Sequence, residues 1–415
     1  MRHNYGSTLI LLGILVNPAL CGQKKADFSR FVVAGDSLSA GYQNSQLIES
    51  GQVHGYANVI ATQARVSLKL PLLPAPGYPQ IAIAGYAVVT GLAPVARLNT
   101  QQTLDVAVPG FTVAALVGLR PSCTPDPADP IEVMAAEILN PNCSSNPGPT
   151  ELEEASALKP TTAILWVGNN DALFSILFGA DPTDIATFGA LYHVAATTMA
   201  HAAKNLVIAN IPDVTMVPYL TSAAKLAAIL KLPLPVVAAA LGLQPGDMVT
   251  PYAFPAIQAM GSSLTALPDS GPQGPIVIRA ARLAQIRAAV IAYNAVIANE
   301  AKANGAVLVD IYSLINDLAA HGKEVDGQLL TTGFMGGLFS MDGVHPTNTG
   351  YAIIANEFIK TMNRTLAAGI PPASLDDMAE TDPLIFPDSH PDKGRGHVSE
   401  PVASALRTVM NGHRR

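Results

Sequence analysis

Short apolar runs punctuate the chain, and each is followed by a residue that favours a turn. They occupy residues 31–34, 104–108, 163–167, 206–209 and 306–309. Runs dominated by Val, Ile, Leu and Ala, without regular alternation with polar residues, are typical of strands that are buried on both faces. We therefore predict an α/β fold in which a five-stranded parallel sheet has helices on both faces, giving a three-layer α/β/α sandwich.

The first of these predicted strands ends in a candidate nucleophile. Ser37 follows Gly35 and Asp36, directly before a segment that can begin a helix. Active sites of parallel sheets lie at the carboxyl ends of the strands, where the positive end of a helix dipole favours a nucleophilic oxygen. We predict an exposed hydroxyl on this turn. The alternative is that Ser37 only caps the following helix.

Two further strand ends carry candidate hydrogen-bond donors. Gly110 follows the second run, and its lack of a side chain would let its backbone N–H approach a ligand closely. Asn170 follows the third run, and its side-chain amide could donate to the negative oxygen of a tetrahedral intermediate. Each of these residues is also a common turn former, so neither motif is specific alone.

A fourth block lies far downstream, where Asp342 precedes His345 by three residues in a loop that contains Gly343 and Pro346. Such a loop can fold back so that the carboxylate orients the imidazole, as a Ser-His-Asp triad requires. Taken separately, Asp342 could be a turn former, and His345 could cap a helix that begins near Asn348.

In their order, spacing and local turn chemistry, the four blocks resemble those of the GDSL family, also called the SGNH hydrolases. The resemblance implies the flavodoxin-like sandwich of that family. It implies a catalytic triad and an oxyanion hole at these positions: Ser37, His345 and Asp342 for the triad, and Ser37, Gly110 and Asn170 for the hole. No G-x-S-x-G motif surrounds Ser37, which argues against the α/β-hydrolase fold.

The resemblance implies a serine ester hydrolase of the carboxylesterase or lipase type, acting through an acyl-enzyme on a small-molecule or lipid ester. We expect no metal and no organic cofactor, because no H-E-x-x-H or comparable ligand set occurs. Three alternatives use the same fold: an acyltransferase, a carbohydrate O-deacetylase and a non-catalytic binding protein. An alcohol can attack an acyl-enzyme as water does, so the triad alone does not separate transfer from hydrolysis.

Composition limits the class of protein further. The chain has 415 residues, of which 49% are hydrophobic and 13% are charged, with a net charge of −7. This composition excludes disorder of the whole chain. It also argues against a nucleic-acid partner, because phosphate binding requires clustered Lys and Arg.

The amino terminus predicts export. Residues 1–22 combine a basic start with a short apolar run and are typical of a signal peptide, too short to span a bilayer. We expect conventional cleavage near Cys21 and a periplasmic, extracellular or cell-surface location. In an oxidising compartment Cys123 and Cys143 should form a disulfide, worth about 3 kcal/mol by the chain-entropy estimate. The alternative, a metal-binding pair, lacks neighbouring ligands.

The remaining chain divides into a catalytic region, residues 27–368, and a charged, proline-rich tail, residues 373–415, which we expect to pack poorly. Residues 171–287 include an apolar, largely helical insertion. We predict a lid or acyl-binding wall over the strand ends, which would favour hydrophobic acyl chains and contact with a lipid surface. The alternative is a set of extra helices that only cover the core.

Overall fold

The computed structural model describes residues 26–78, 96–261 and 263–385. The predicted signal peptide and most of the predicted tail lie outside these residues. The strands, in chain order, are β1 (Phe31–Gly35), β2 (Thr162–Trp166), β3 (Asn205–Ala209), β4 (Thr221–Ser222), β5 (Met248–Val249), β6 (Ser270–Gly271), β7 (Gly274–Pro275), β8 (Val277–Ile278), β9 (Val307–Val309), β10 (Lys323–Val325) and β11 (Gln328–Leu330).

Helices account for most of the remaining regular structure. In chain order they are α1 (Ser37–Ala40), α2 (Glu49–Gln52), α3 (Tyr56–Gln63), α4 (Val113–Gly118), α5 (Pro130–Leu139), α6 (Glu151–Ala157), α7 (Asn169–Leu177), α8 (Ile185–Ala202), α9 (Ala223–Leu230), α10 (Leu234–Leu241), α11 (Ala253–Met260), α12 (Ala280–Ala303), α13 (Ile311–His321), α14 (Asn348–Leu366) and α15 (Leu375–Thr381). A 3-10 helix covers Val214–Met216.

The central sheet is parallel, in the order β1-β2-β3-β9. The predicted α/β class is confirmed, but the predicted count of five strands is wrong. The segment 104–108 lies along β1 and exchanges backbone hydrogen bonds with Val33, yet it forms only a single parallel bridge, at Asp105. The Val108 N–H also donates to the Gly35 carbonyl at 3.2 Å, so the segment follows the edge of the sheet without becoming a regular strand. The N–H of Ala107 donates to the Asp105 carboxylate at 3.1 Å instead of to another strand.

Side chains of the central strands alternate between two hydrophobic layers, which confirms the three-layer sandwich. On β1, Val32 and Ala34 join the layer formed with α4, α5, α6, α8 and α12. Phe31 and Val33 join the opposite layer, formed with α3 and α14. Successive residues of a strand face opposite sides of the sheet, so a strand covered on both faces is apolar throughout.

Three aromatic rings fill the layer between the sheet and α14. The centroid of Tyr56 lies 5.3 Å from that of Trp166 and 4.8 Å from that of Phe358. All three side chains are fully buried, and the Trp166 indole N–H donates to the carbonyl of Asn210 at 3.1 Å. This cluster fixes α14, whose amino-terminal end follows the loop that carries His345.

The predicted insertion is shorter than residues 171–287, because α7, α8 and β3 within that range belong to the α/β sandwich. The added unit begins after the 3-10 helix and ends at β8. It contains α9, α10 and α11 with a small antiparallel sheet, β4-β5-β8, and the hairpin β6-β7. Its own hydrophobic cluster includes Leu226, Val237, Leu241, Val249 and Ile257, so it is a packed subdomain of mixed structure.

Two predictions outside the sheet have different outcomes. The disulfide between Cys123 and Cys143 is present, with the two Cα atoms 5.2 Å apart.

The prediction of poor packing from residue 373 is wrong for residues 373–385. There α15 packs on α14, and the buried Asp382 carboxylate accepts the N–H and hydroxyl of Thr349. This polar contact and the apolar contacts of Ala379 and Leu384 outweigh the high local charge.

Among the described residues, no single helix has both the length and the apolar composition needed to cross a membrane. The helices α9 and α10 pass that test only as a pair, and they meet at a bend of 108°.

Replacing Phe358 with Ala should lower the free energy of unfolding by about 3–5 kcal/mol, because it opens a cavity among fully buried rings. Urea unfolding measures this change. Phe178→Ala is the matched control, since Phe178 is 59% exposed and its loss should shift the midpoint little. Equal effects of the two substitutions would contradict the burial of Phe358.

Candidate active site

Ser37 occupies the turn between β1 and α1. Asp36 caps α1, since its carboxylate accepts the N–H of Leu38 at 3.1 Å, so Ser37 is not the capping residue. The predicted exposure of Ser37 is wrong, because only 8% of the residue is accessible. Its hydroxyl is within hydrogen-bonding distance of His345. The side chain is therefore held in one place by a neighbour from the distant end of the chain.

Three side chains form a continuous hydrogen-bonded row. The His345 Nε2 atom lies 2.8 Å from the Ser37 Oγ, and the His345 Nδ1 atom lies 2.8 Å from Asp342 Oδ2. His345 does not cap the helix that follows, because the Thr347 side chain accepts the N–H of Gly350 in that position. The ring of Tyr42 packs beside the imidazole, with centroids 4.7 Å apart.

The Asp342 carboxylate is buried and accepts hydrogen bonds on both oxygens. Oδ1 accepts the backbone N–H groups of Val344 and His345, each at 2.8 Å. Burial raises the pKa of Asp342, but the neighbouring imidazole and these hydrogen bonds together lower it by more. The pKa of Asp342 therefore lies below its ordinary value. An ionised carboxylate can only accept, so Nδ1 of His345 carries the hydrogen and Nε2 is free to accept from Ser37.

A turn at Asn44 and Ser45 completes the surroundings of Asp342, and sequence reasoning missed it. The Ser45 N–H donates to Asp342 Oδ2 at 3.0 Å, and the Met341 N–H donates to Asn44 Oδ1 at 3.0 Å. Both turn residues have positive φ, at 53° and 63°, a region in which Asn is common. The Asn-Ser pair signals a turn in the sequence, but nothing local indicates its distant partner.

The predicted oxyanion donors follow the two neighbours of β1: Gly110 follows segment 104–108, and Asn170 follows β2. Gly110 has φ of +85°, a backbone conformation that favours glycine, and a Cβ there would lie 2.9 Å from the end of the Ile131 side chain. The Asn170 amide is buried and donates to the carbonyl of Phe111 at 2.9 Å, beside Gly110. Within the described chain, no protein acceptor is bonded to the backbone N–H of Ser37 or of Gly110.

Hydrogen bonds tie these blocks to one another. The Asn169 amide donates to Asp36 Oδ2 at 2.7 Å, which links the end of β2 to the residue before Ser37. Asp171 Oδ2 accepts the N–H of Val113 at 2.9 Å, which links α7 to the segment after Gly110. The roles of Ser37, Gly110 and Asn170 as oxyanion donors stay predictions, but their segments are joined by short contacts.

Three buried carboxyl groups lie behind the nucleophile turn. Burial raises the pKa of Asp36 to about 6 and that of Asp105 to about 8. The Glu151 side chain is completely buried, and its Oε1 accepts the N–H of Gly35 at 2.6 Å. Burial, with the charges of Asp105 and Asp36, raises the pKa of Glu151 well above its ordinary value. At neutral pH Asp105 therefore retains a proton that an unfolded chain would release.

No cluster of three or more His, Cys, Asp or Glu residues suited to a metal occurs in the described ranges. The residues around Ser37 instead provide an imidazole base, a carboxylate that orients this base, and several N–H donors. Such a set is suited to nucleophilic attack on an acyl carbon, with the developing negative charge held by hydrogen bonds.

Comparison with known proteins identifies the family. The profile of the family described as GDSL-like Lipase/Acylhydrolase matches residues 31–358, so this chain belongs to that family. Membership supports an ester hydrolase as the general class. No curated protein sequence matches the chain.

Solved structures with similarity to this chain include enzymes from several sources. LAE5, an α/β hydrolase from the metagenome of Lake Arreo in Spain, is 13% identical over 84% of this chain and 99% of its own, with a TM-score of 0.38. A lipase/acylhydrolase from Enterococcus faecalis is 11% identical over 83% of this chain and 98% of its own, with a TM-score of 0.35. A variant of the acetyl xylan esterase Axe2 from Geobacillus stearothermophilus is 13% identical over 84% of this chain and 99% of its own, with a TM-score of 0.37.

Stability should fall as pH rises from about 4 to about 8, because Asp105 ionises at about 8 in the folded protein but near 3.8 when unfolded. In that window the folded state binds the extra proton, so raising the pH favours unfolding. Asp105→Asn should make the decline shallower, as measured by urea unfolding at several pH values. Asp181→Asn, at a side chain 87% exposed, is the control. An unchanged slope in Asp105→Asn would refute the assignment.

Proposed function

We propose that the protein hydrolyses carboxylic esters with Ser37 as nucleophile, His345 as general base and Asp342 as the residue that orients and stabilises the imidazole. The observation that carries the proposal is the continuous row of hydrogen bonds from Ser37 Oγ through His345 to Asp342. Its order and atom pairing match what proton transfer from a serine hydroxyl requires.

In the first half-reaction, Ser37 Oγ attacks the ester carbonyl carbon while its proton passes to Nε2 of His345. The imidazolium that forms is stabilised by the ionised Asp342, which accepts from Nδ1. The tetrahedral oxygen accepts from the backbone N–H groups of Ser37 and Gly110 and from the Asn170 amide. Collapse of this intermediate transfers the proton from His345 to the leaving alcohol and leaves an acyl-enzyme.

In the second half-reaction, water gives a proton to His345 and attacks the acyl carbon. As this intermediate collapses, the bond between the acyl carbon and Ser37 Oγ breaks, His345 returns the proton to Oγ, and the acid leaves. Each proton that leaves an oxygen passes to His345, so the cycle needs no metal or organic cofactor.

We propose hydrophobic acyl esters as substrates. Phe334 and Met335, which are 45% and 43% exposed, lie in the loop that leads into the Asp342–His345 segment. The apolar subdomain begins beside the same segment, where the Tyr219 N–H donates to the carbonyl of Gly343 at 2.9 Å. Apolar residues on both flanks favour an acyl chain over a polar substituent.

We also propose that the enzyme acts after export. The disulfide between Cys123 and Cys143 supports this location, because such bonds persist mainly in oxidising compartments. The proposed signal peptide, residues 1–22, provides the route.

Ser37→Ala should lower kcat by at least about 10³-fold, because the acyl-enzyme cannot form. The measurement is hydrolysis of nitrophenyl esters with acyl chains from acetate to palmitate. The urea midpoint of the variant should match that of the parent, since alanine fits the space of serine. Near-normal turnover in a folded Ser37→Ala would refute the mechanism, and a preference for acetate over long chains would refute the proposed substrate class.

Asn170→Ala should lower kcat by about 10²- to 10³-fold by removing a donor to the tetrahedral oxygen. KM should change much less, because that charge develops only in the transition state. The two constants are obtained from the same ester assay, with circular dichroism as the control for folding. A loss of kcat below about threefold would remove Asn170 from the oxyanion hole.

A further inference from the structure

The tip of the apolar subdomain exposes a continuous run of hydrophobic residues. Every residue from Lys231 to Val236 is exposed, and Lys231 is the only polar one. Leu232, Leu234 and Val236 are 41%, 44% and 51% exposed, and Ile229, at the end of α9, is 44% exposed. We define the tip as residues 229–236.

These exposed residues are not part of the core of the subdomain. Leu226 and Ala227 on α9, with Val237 and Leu241 on α10, already fill the hydrophobic cluster beneath them. The outward face of an ordinary surface helix carries polar side chains. Here the exposed residues of both helices are apolar apart from Lys225, so the helix pair presents hydrophobic residues both inward and outward.

The backbone fixes the shape of the tip. Lys231 ends α9 with φ of 55°, in the left-handed region, and Pro233 directly precedes α10. Proline restricts φ, so little conformational freedom is lost if the tip becomes buried in another phase. The 108° bend between α9 and α10 makes the tip a wedge that cannot cross a bilayer as one helix.

Charge indicates which apolar phase the tip contacts. Residues 214–246 contain Lys225 and Lys231 and no Asp, Glu, Arg or His, whereas the whole chain has a net charge of −7. Both lysines are exposed. An anionic bilayer supplies both of the groups that this surface lacks, acyl chains for the aliphatic side chains and phosphates for the two lysines.

We propose that the tip, residues 229–236, inserts into the surface of a bilayer that contains anionic phospholipids. The four aliphatic side chains enter the boundary of the acyl region, and Lys225 and Lys231 contact phosphates. The base of the subdomain contacts the loop that carries Asp342 and His345, through Tyr219 and Gly343. Insertion would therefore hold the triad near the membrane surface. Such a site goes beyond ester hydrolysis and can be tested without it.

Vesicle flotation of the full chain tests the proposal, with Ser37→Ala as the parent so that activity plays no part. The vesicles are phosphatidylcholine alone, or phosphatidylcholine and phosphatidylglycerol in equal parts. We expect binding to the mixed vesicles. The double variant Leu232→Ser with Leu234→Ser should bind about tenfold or more weakly. Lys225→Gln with Lys231→Asn should lower binding by about fivefold for each lysine removed.

The control variant replaces Ile291 and Leu329 with Ser, since these residues are 56% and 61% exposed outside the subdomain. It should bind as the parent does. Thermal unfolding verifies that every variant is folded. Failure of the parent to bind, equal loss in the control variant, or equal binding to both kinds of vesicle would overturn the proposal. A further outcome would also overturn it: the parent binds no vesicles, and sedimentation shows a dimer that the double variant Leu232→Ser with Leu234→Ser dissociates. The tip would then be a contact between copies of the chain.

Active enzyme with Ser37 intact gives a second, separate readout. Hydrolysis of a short, soluble nitrophenyl ester should be unchanged in the Leu232 and Leu234 double variant, whereas hydrolysis of an ester carried in mixed vesicles should fall in proportion to binding. Equal loss on both substrates would mean that the substitutions damage the catalytic site, which would contradict a docking role for the tip.

Discussion

The carboxylate of Asp342 is the constraint on which the site depends. Its two oxygens accept the N–H groups of Val344, His345 and Ser45 and the Nδ1–H of the imidazole. The first two bonds shape the loop, the third fixes that loop to the start of the chain, and the fourth orients the base. A charge this deeply buried is costly unless hydrogen-bonded, so the same groups that satisfy it also determine where Nε2 lies.

The parallel sheet supplies the remaining geometry. Because β1 and β2 are neighbours, the turns after them are adjacent, and the bond from Asn169 to Asp36 joins them directly. The segment after residue 108 meets the same edge through Asn170 and Asp171. The buried carboxyl groups behind Ser37, above all Glu151, hold the end of β1 from within. Polar contacts thus fix a site whose scaffold is otherwise apolar.

The apolar subdomain adds an exposed hydrophobic surface to the α/β sandwich. It has its own hydrophobic cluster, and the exposed side chains of Ile229, Leu232, Leu234 and Val236 are not among its members. An exposed hydrophobic run carries a risk of aggregation unless a partner covers it, and its basic charge contrasts with the acidic chain. The same subdomain contacts the loop of His345 through Tyr219 and Gly343, so the proposed membrane contact and the proposed triad lie on connected segments.

The sequence by itself determined the sandwich and the candidate site residues. The runs at residues 31–34, 163–167 and 206–209 are apolar on both faces, a property of the residues themselves, and the turn residues after them marked where chemistry could lie. Tertiary structure decided what depends on distant partners. Periodicity cannot show that segment 104–108 forms a single bridge to β1, that His345 contacts Ser37, or that the Asn44–Ser45 turn binds Asp342. Each of these depends on contacts between residues far apart in the chain.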